Sequence, residues 1–136
     1  MCLYVNKSRN IRKPLTVYVV REITGKRHTI RSPYNCLTIW TVGKNKIIAS
    51  EKECTSEIPI IVGAGYFHSL ASIGGAKKLY RYLNIGYHYS DYSFAIYEAE
   101  ILPSKIYIGE FKYVYGIKGI SSIASTNLTL IKKIGE

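Results

Sequence analysis

The stretch from Gly63 to Leu83 constrains the fold most. It reads in order as a glycine loop (Gly63-Ala64-Gly65), a short buried strand (Tyr66-Phe67-His68), a cap (Ser72) and an amphipathic helix from Ile73 to Leu83. At about 3.6 residues per turn, Ile73, Ala76, Leu79, Tyr80 and Leu83 share one stripe, while Lys77, Lys78 and Arg81 lie opposite. An apolar stripe needs a surface to cover, and the rest of the chain supplies strands. Leu15 to Ile23 and Leu37 to Val42 are β-branched and aromatic, and Thr24-Gly25-Lys26 turns the first of them back through Arg27 to Arg31. Lys46 to Ser50, Ile58 to Val62, Tyr92 to Ile101, Lys105 to Ile108, Glu110 to Tyr115 and Asn127 to Ile134 continue the pattern, with a small-residue loop before the last. The spacing predicts an α+β fold with a mixed or mostly antiparallel sheet of roughly eight strands and one principal helix packed on it.

With 136 residues and no Pro/Gly/Ser-rich linker, one domain is expected. Residues 1–13 read as a basic arm that stays mobile or packs across the sheet, and residues 14–136 as the globular core. The apolar run around Ile58 to Val62 is too short to span a bilayer. Met1 to Lys7 lacks the order of a secretory signal, so no membrane association and a cytoplasmic location are expected. Cys2, Cys36 and Cys54 are odd in number and widely spaced, which suits free thiols. No metal-ligand spacing joins them to His28, His68 or His88, so neither a metal nor a cofactor is expected.

Net charge is +10, and it is unevenly spread. Between Met1 and Pro33 eight basic residues stand against the single acid Glu22. Arg9, Arg12, Lys13, Lys26, Arg27 and Arg31, with Lys77, Lys78 and Arg81 on the helix, are the candidate anion- or nucleic-acid-binding residues. The plainer reading of the same charge is that it keeps a Tyr- and Ile-rich chain soluble. A candidate pocket comprises Arg21, Tyr66, His68, Ser72, Gly74 and Gly75, because Ser72-Ile73-Gly74-Gly75 opens a helix with free N–H groups and no acid in its first turn. Gly63-Ala64-Gly65 does not have the spacing of a dinucleotide fingerprint. His68 beside Ser69 lacks an orienting carboxylate unless Glu98 or Glu100 approaches in space, so no catalytic residue is assigned. The tyrosines at 80, 82, 87, 89, 92 and 97 would stack bases if exposed and fill a core if not.

Two resemblances extend this reading. The opening Met1-Cys2-Leu3-Tyr4-Val5-Asn6, the strand Val17-Tyr18-Val19-Val20-Arg21 with Ser32-Pro33-Tyr34, the run Gly65-Tyr66-Phe67-His68-Ser69, Leu102-Pro103-Ser104-Lys105-Ile106-Tyr107-Ile108-Gly109 and the ending Ile123-Ala124-Ser125-Thr126-Asn127-Leu128 follow one another as in a family of small uncharacterised proteins. The chain resembles, over nearly its whole length, these proteins encoded by gut Bacteroidales and their phages. It departs from them at Gly74 and Gly75, where their helix start tends to be acidic. The order of a strand with Arg21, then Tyr66 and His68, then a helix, is also similar to a reduced ADP-ribosyltransferase half, in which a tyrosine and a basic residue or histidine grip nicotinamide dinucleotide. That chemistry needs a late glutamate, and between Ile108 and Ile134 only Glu110 is available. The first resemblance brings no established activity with it, so the expectation of a non-enzymatic binding protein of phage or mobile-element type rests on the basic N-terminal third and helix face, used on a phosphate-bearing or acidic partner. Its partner would be a nucleic acid, a nucleotide or an acidic host protein, met in the host cytoplasm during host takeover or anti-defence. The second implies a degenerate nucleotide-binding protein or enzyme. A virion or assembly component is the remaining alternative.

Overall fold

The computed structural model describes residues 3–24, 29–31, 39–47, 61–62, 66–86, 93–111 and 120–135. In chain order these form β1 (Leu3–Asn10), β2 (Leu15–Thr24), β3 (Thr29–Arg31), β4 (Ile39–Trp40), β5 (Asn45–Ile47), β6 (Ile61–Val62) and β7 (Phe67–Leu70). The helix α1 (Ile73–Gly86) follows, then β8 (Ser93–Ile101), β9 (Lys105–Phe111), β10 (Ser121–Ser125) and β11 (Asn127–Gly135). The chain is α+β, and the described residues form eleven strands in one sheet rather than roughly eight. The main path runs β5-β11-β8-β2-β7-β10-β9-β1-β6, with β3 paired to β2 and β4 to β3. Every described pairing is antiparallel.

The excess strands come from segments whose sequence carries a weak strand signal. The expected basic arm is instead β1, which pairs with β9 from Leu3↔Phe111 to Asn10↔Lys105 and also with β6. Its polar side chains Lys7, Ser8, Arg9 and Asn10 are exposed, which is why alternation did not mark it. Residues 121–125, read as part of a small-residue loop, form β10, where the small side chains of Ser122, Ala124 and Ser125 are fully buried between β7 and β9. Lys105 to Ile108 and Glu110 belong to the single strand β9, because Gly109 continues the ladder opposite Ser122 rather than breaking it.

Antiparallel partners share a sheet face, so the register sorts the side chains into two layers. On one face Val20, Leu70, Phe94, Ile96, Tyr107 and Ala124 meet Ala76, Leu79 and Leu83 of α1. The helix starts where expected: Ser72 Oγ accepts the Gly75 N–H at 3.1 Å. The predicted stripe holds except at its first residue, since Ile73 is 43% exposed at the end of the helix, ahead of the sheet contact. Gly75 lets this start approach the sheet closely, for a Cβ there would lie 3.2 Å from Ile120 Cγ2, whereas one at Gly74 would meet only Ser72 Oγ at 3.9 Å. The opposite face buries Val17, Val19, Ile23, Trp40, Ala95, Tyr97, Ala99, Ile101, Ile106, Ile123, Leu128 and Leu130.

A turn at Thr41–Lys44, closed by the Lys44 N–H donating to the Thr41 carbonyl at 3.2 Å, joins β4 to β5. Gly43 takes φ 84° there, a conformation that favours glycine, and its N–H reaches the Leu130 carbonyl at 2.7 Å, tying the turn to β11. Through this turn the strands β2, β3, β4, β5, β11 and β8 follow one another around a near-closed circuit. Leu79→Asp places a charge at the centre of the helix–sheet contact and is expected to destabilise the protein by about 4 kcal/mol or more. A wild-type melting temperature in that variant would show that α1 does not pack on this sheet.

Candidate functional site

The candidate residues do not gather in one place. Arg9, Arg12 and Lys13 stand exposed at the β1–β2 connection, around an open depression of about 350 Å³ lined by Arg9 to Leu15. Its backbone is held firmly. The Ile11 N–H donates to the Ser104 carbonyl at 3.0 Å. Ser104 is in turn clamped by buried Asn127, whose Nδ2 donates to Ser104 Oγ at 3.1 Å and whose Oδ1 accepts the Leu102 N–H at 2.8 Å. Sequence reasoning did not single out Asn127, although an asparagine opening the strand just before Leu128 and Leu130 is the available signal. It also passed over Lys105, exposed beside this turn opposite Asn10, with its Nζ 5.3 Å from the Tyr107 ring centroid.

The helix cations Lys77, Lys78 and Arg81 are exposed, as the stripe predicts. They do not join the first group. Lys7 and Arg9 pair with Ile108 and Ile106, on the sheet face opposite the helix. The described residues of these two groups therefore form separate patches on opposite faces. Arg31 belongs to neither: it is half-buried on β3 opposite Glu22, and its charge pulls the Glu22 carboxyl down against burial, which raises it and is the larger effect. Lys26 and Arg27 lie outside the described residues.

The candidate pocket is not assembled either. Tyr66 and His68 lie on the helix face, where Tyr66 is buried edge-on to Tyr107 at 5.7 Å and His68 pairs with Ala124. Ser72, Gly74 and Gly75 form the helix start on that side. Arg21 alternates with Val17, Val19 and Ile23 and so points to the other face, with the sheet between it and His68. Glu98 and Glu100 oppose Tyr18 and Thr16 of β2 and do not join Arg21 on its face.

What Arg21 does meet was not foreseen. Its guanidinium carbon sits 4.7 Å from the Trp40 ring centroid, and Trp40 packs edge-on against Phe67 at 5.3 Å. Lys46 of β5 reaches the same indole, with Nζ 5.5 Å from the centroid. Arg21 is 5% exposed, and burial lowers its pKa to about 9, so it remains cationic at neutral pH. Only an arginine interrupting the inward positions of β2 hinted at this cluster.

Comparison with protein-family models, with curated proteins and with solved structures returns no match. Among the described residues there is no group of His, Cys, Asp or Glu able to hold a metal, and no helix is long and apolar enough to cross a membrane.

The Glu22 environment gives a signed pH dependence. A carboxyl whose folded pKa lies above 4.5 binds more protons folded than unfolded, so its contribution to stability falls as pH rises through that window. The melting temperature of Glu22→Gln relative to wild type is expected to increase from pH 4 towards pH 7, by an amount limited by solvent screening. The opposite slope would mean that attraction to Arg31 outweighs burial.

Proposed function

We propose that this chain is a non-catalytic binding protein whose β1–β2 end engages a phosphate-bearing or acidic partner. The observation that carries the reading is the exposed set Arg9, Arg12 and Lys13 around an open depression on a hydrogen-bonded backbone. Fixed cations lose less entropy on binding than a mobile arm, and they act on phosphates without reading sequence. The resemblance to proteins of Bacteroidales phages makes host takeover or anti-defence the context of such binding. The nucleotide-binding alternative has less support, because Arg21 lies across the sheet from Tyr66 and His68.

A nucleic acid is the form of partner most directly tested. Titrating single- and double-stranded DNA and RNA at two salt concentrations should show binding that weakens with salt. Replacing Arg9, Arg12 and Lys13 together by Ala should lower the slope of log K against log salt by about 0.9 for each duplex phosphate that the variant no longer neutralises. Since the helix cations face the other way, Lys77, Lys78 and Arg81 changed to Ala should leave the slope on a short duplex unaltered. No binding by wild type at low salt would exclude nucleic acid and leave an acidic protein or a nucleotide.

A further inference from the structure

Beyond that surface, the interior holds a second concentration of positive charge. Arg21 Nη1 donates to the Val20 carbonyl at 3.0 Å, while its buried Nε–H has no hydrogen-bond partner among the described residues. The Trp40 Nε1–H is likewise buried and without a partner among them. These side chains are 5% and 4% exposed, so bulk water does not readily serve either donor. A buried donor left unmet destabilises the fold, and an uncompensated buried charge does so more.

The local charge is unbalanced as well. Lys46 and Arg21 both approach the Trp40 ring, which puts the two cations no farther apart than about a Debye length. No described carboxylate offsets them. Glu22 lies opposite Phe94, on the helix face, Glu98 and Glu100 share that face, and Glu110 is exposed at the far end of β9 opposite Tyr4. Burial lowers the pKa of Arg21, and no acid among the described residues raises it. An indole face offsets part of a guanidinium charge, but it accepts no hydrogen bond from Nε.

We propose that Arg21, Trp40 and Lys46 form a binding site for a small oxyanion, a phosphate or carboxylate group held by the Arg21 Nε edge and the Trp40 N–H, with Lys46 as counter-charge. The Nη1 bond to Val20 leaves the Nε edge of the guanidinium for side-on recognition of two oxygens, a bidentate pairing of the kind arginine makes with carboxylates and phosphates. The site is separate from the β1–β2 surface, which presents exposed cations to a large partner.

The test is thermal melting of the full chain in inorganic phosphate and in acetate against chloride at equal ionic strength, with Trp40 emission followed at low temperature. Trp40 is the single tryptophan, so its emission reports on this site alone. At least one oxyanion should raise the melting temperature with the logarithm of its concentration and change the emission, and the two arms separate a tetrahedral from a planar ligand. Arg21→Met should abolish both responses and melt no lower than wild type in chloride, because it removes an uncompensated charge. Trp40→Phe and Lys46→Met, whose folding is checked by circular dichroism, should each weaken the thermal response. The variant with Arg9, Arg12 and Lys13 changed to Ala should keep it. The proposal is overturned if neither anion acts beyond chloride, if Arg21→Met still responds, or if the surface variant loses the response.

Discussion

The seating of Trp40 over the sheet face that carries Arg21 and Phe67 is the constraint on which the rest of the structure depends. Arg21 lies opposite Ala95, whereas Lys46 lies opposite Leu128, next to the Thr129–Glu100 pair at the other end of β8. In a flat sheet those positions would be separated by several residues along the strands, at about 3.3 Å each, and by three strand spacings of about 4.8 Å. Both cations nevertheless reach one indole. The sheet must therefore coil strongly, and the short strands β3 and β4 carry Trp40 over the face that α1 does not cover.

This coiling explains how one helix suffices for so many strands. One face of the sheet is covered by α1, whose Ala76, Leu79 and Leu83 lie on Val20, Phe94 and Ile96. The other face buries its own side chains, with Val17, Val19 and Ala99 almost wholly removed from water. A β2 strand buried on both faces leaves little room for polar groups, so the arginine within it stands out. The same two-faced arrangement divides the surface charge: Lys7 and Arg9 follow one side, the helix cations the other. A partner that binds one patch does not reach the second without wrapping around the sheet edge.

The helix and the long central strands were legible in the sequence because their apolar periods are regular. Ser72, Ala76, Leu79 and Leu83 fixed α1, and Val17, Val19 and Ile23 fixed β2. β1 and β10 were missed for opposite reasons. The first is polar because its described side chains face water, and the second is small because it is squeezed between neighbours. The site was less legible than the fold. Periodicity identified which helix cations are exposed, but the grouping of Arg21 with Tyr66 and His68 required knowing the face of each strand. That depends on the β2–β7 register, fixed by the Tyr18–Leu70 pair. Trp40 and Lys46 are distant from Arg21 in sequence and belong to short strands, so only tertiary structure joins them.

Acrylamide quenching of Trp40 fluorescence tests the coiled sheet most directly, because the quencher is neutral and unaffected by the nearby cations. An indole that is 4% exposed and seated on Arg21 and Phe67 should emit at short wavelength and resist quenching until the protein unfolds. Emission and quenching like those of free tryptophan in the native protein would contradict the account, since β4 would then not close over the sheet.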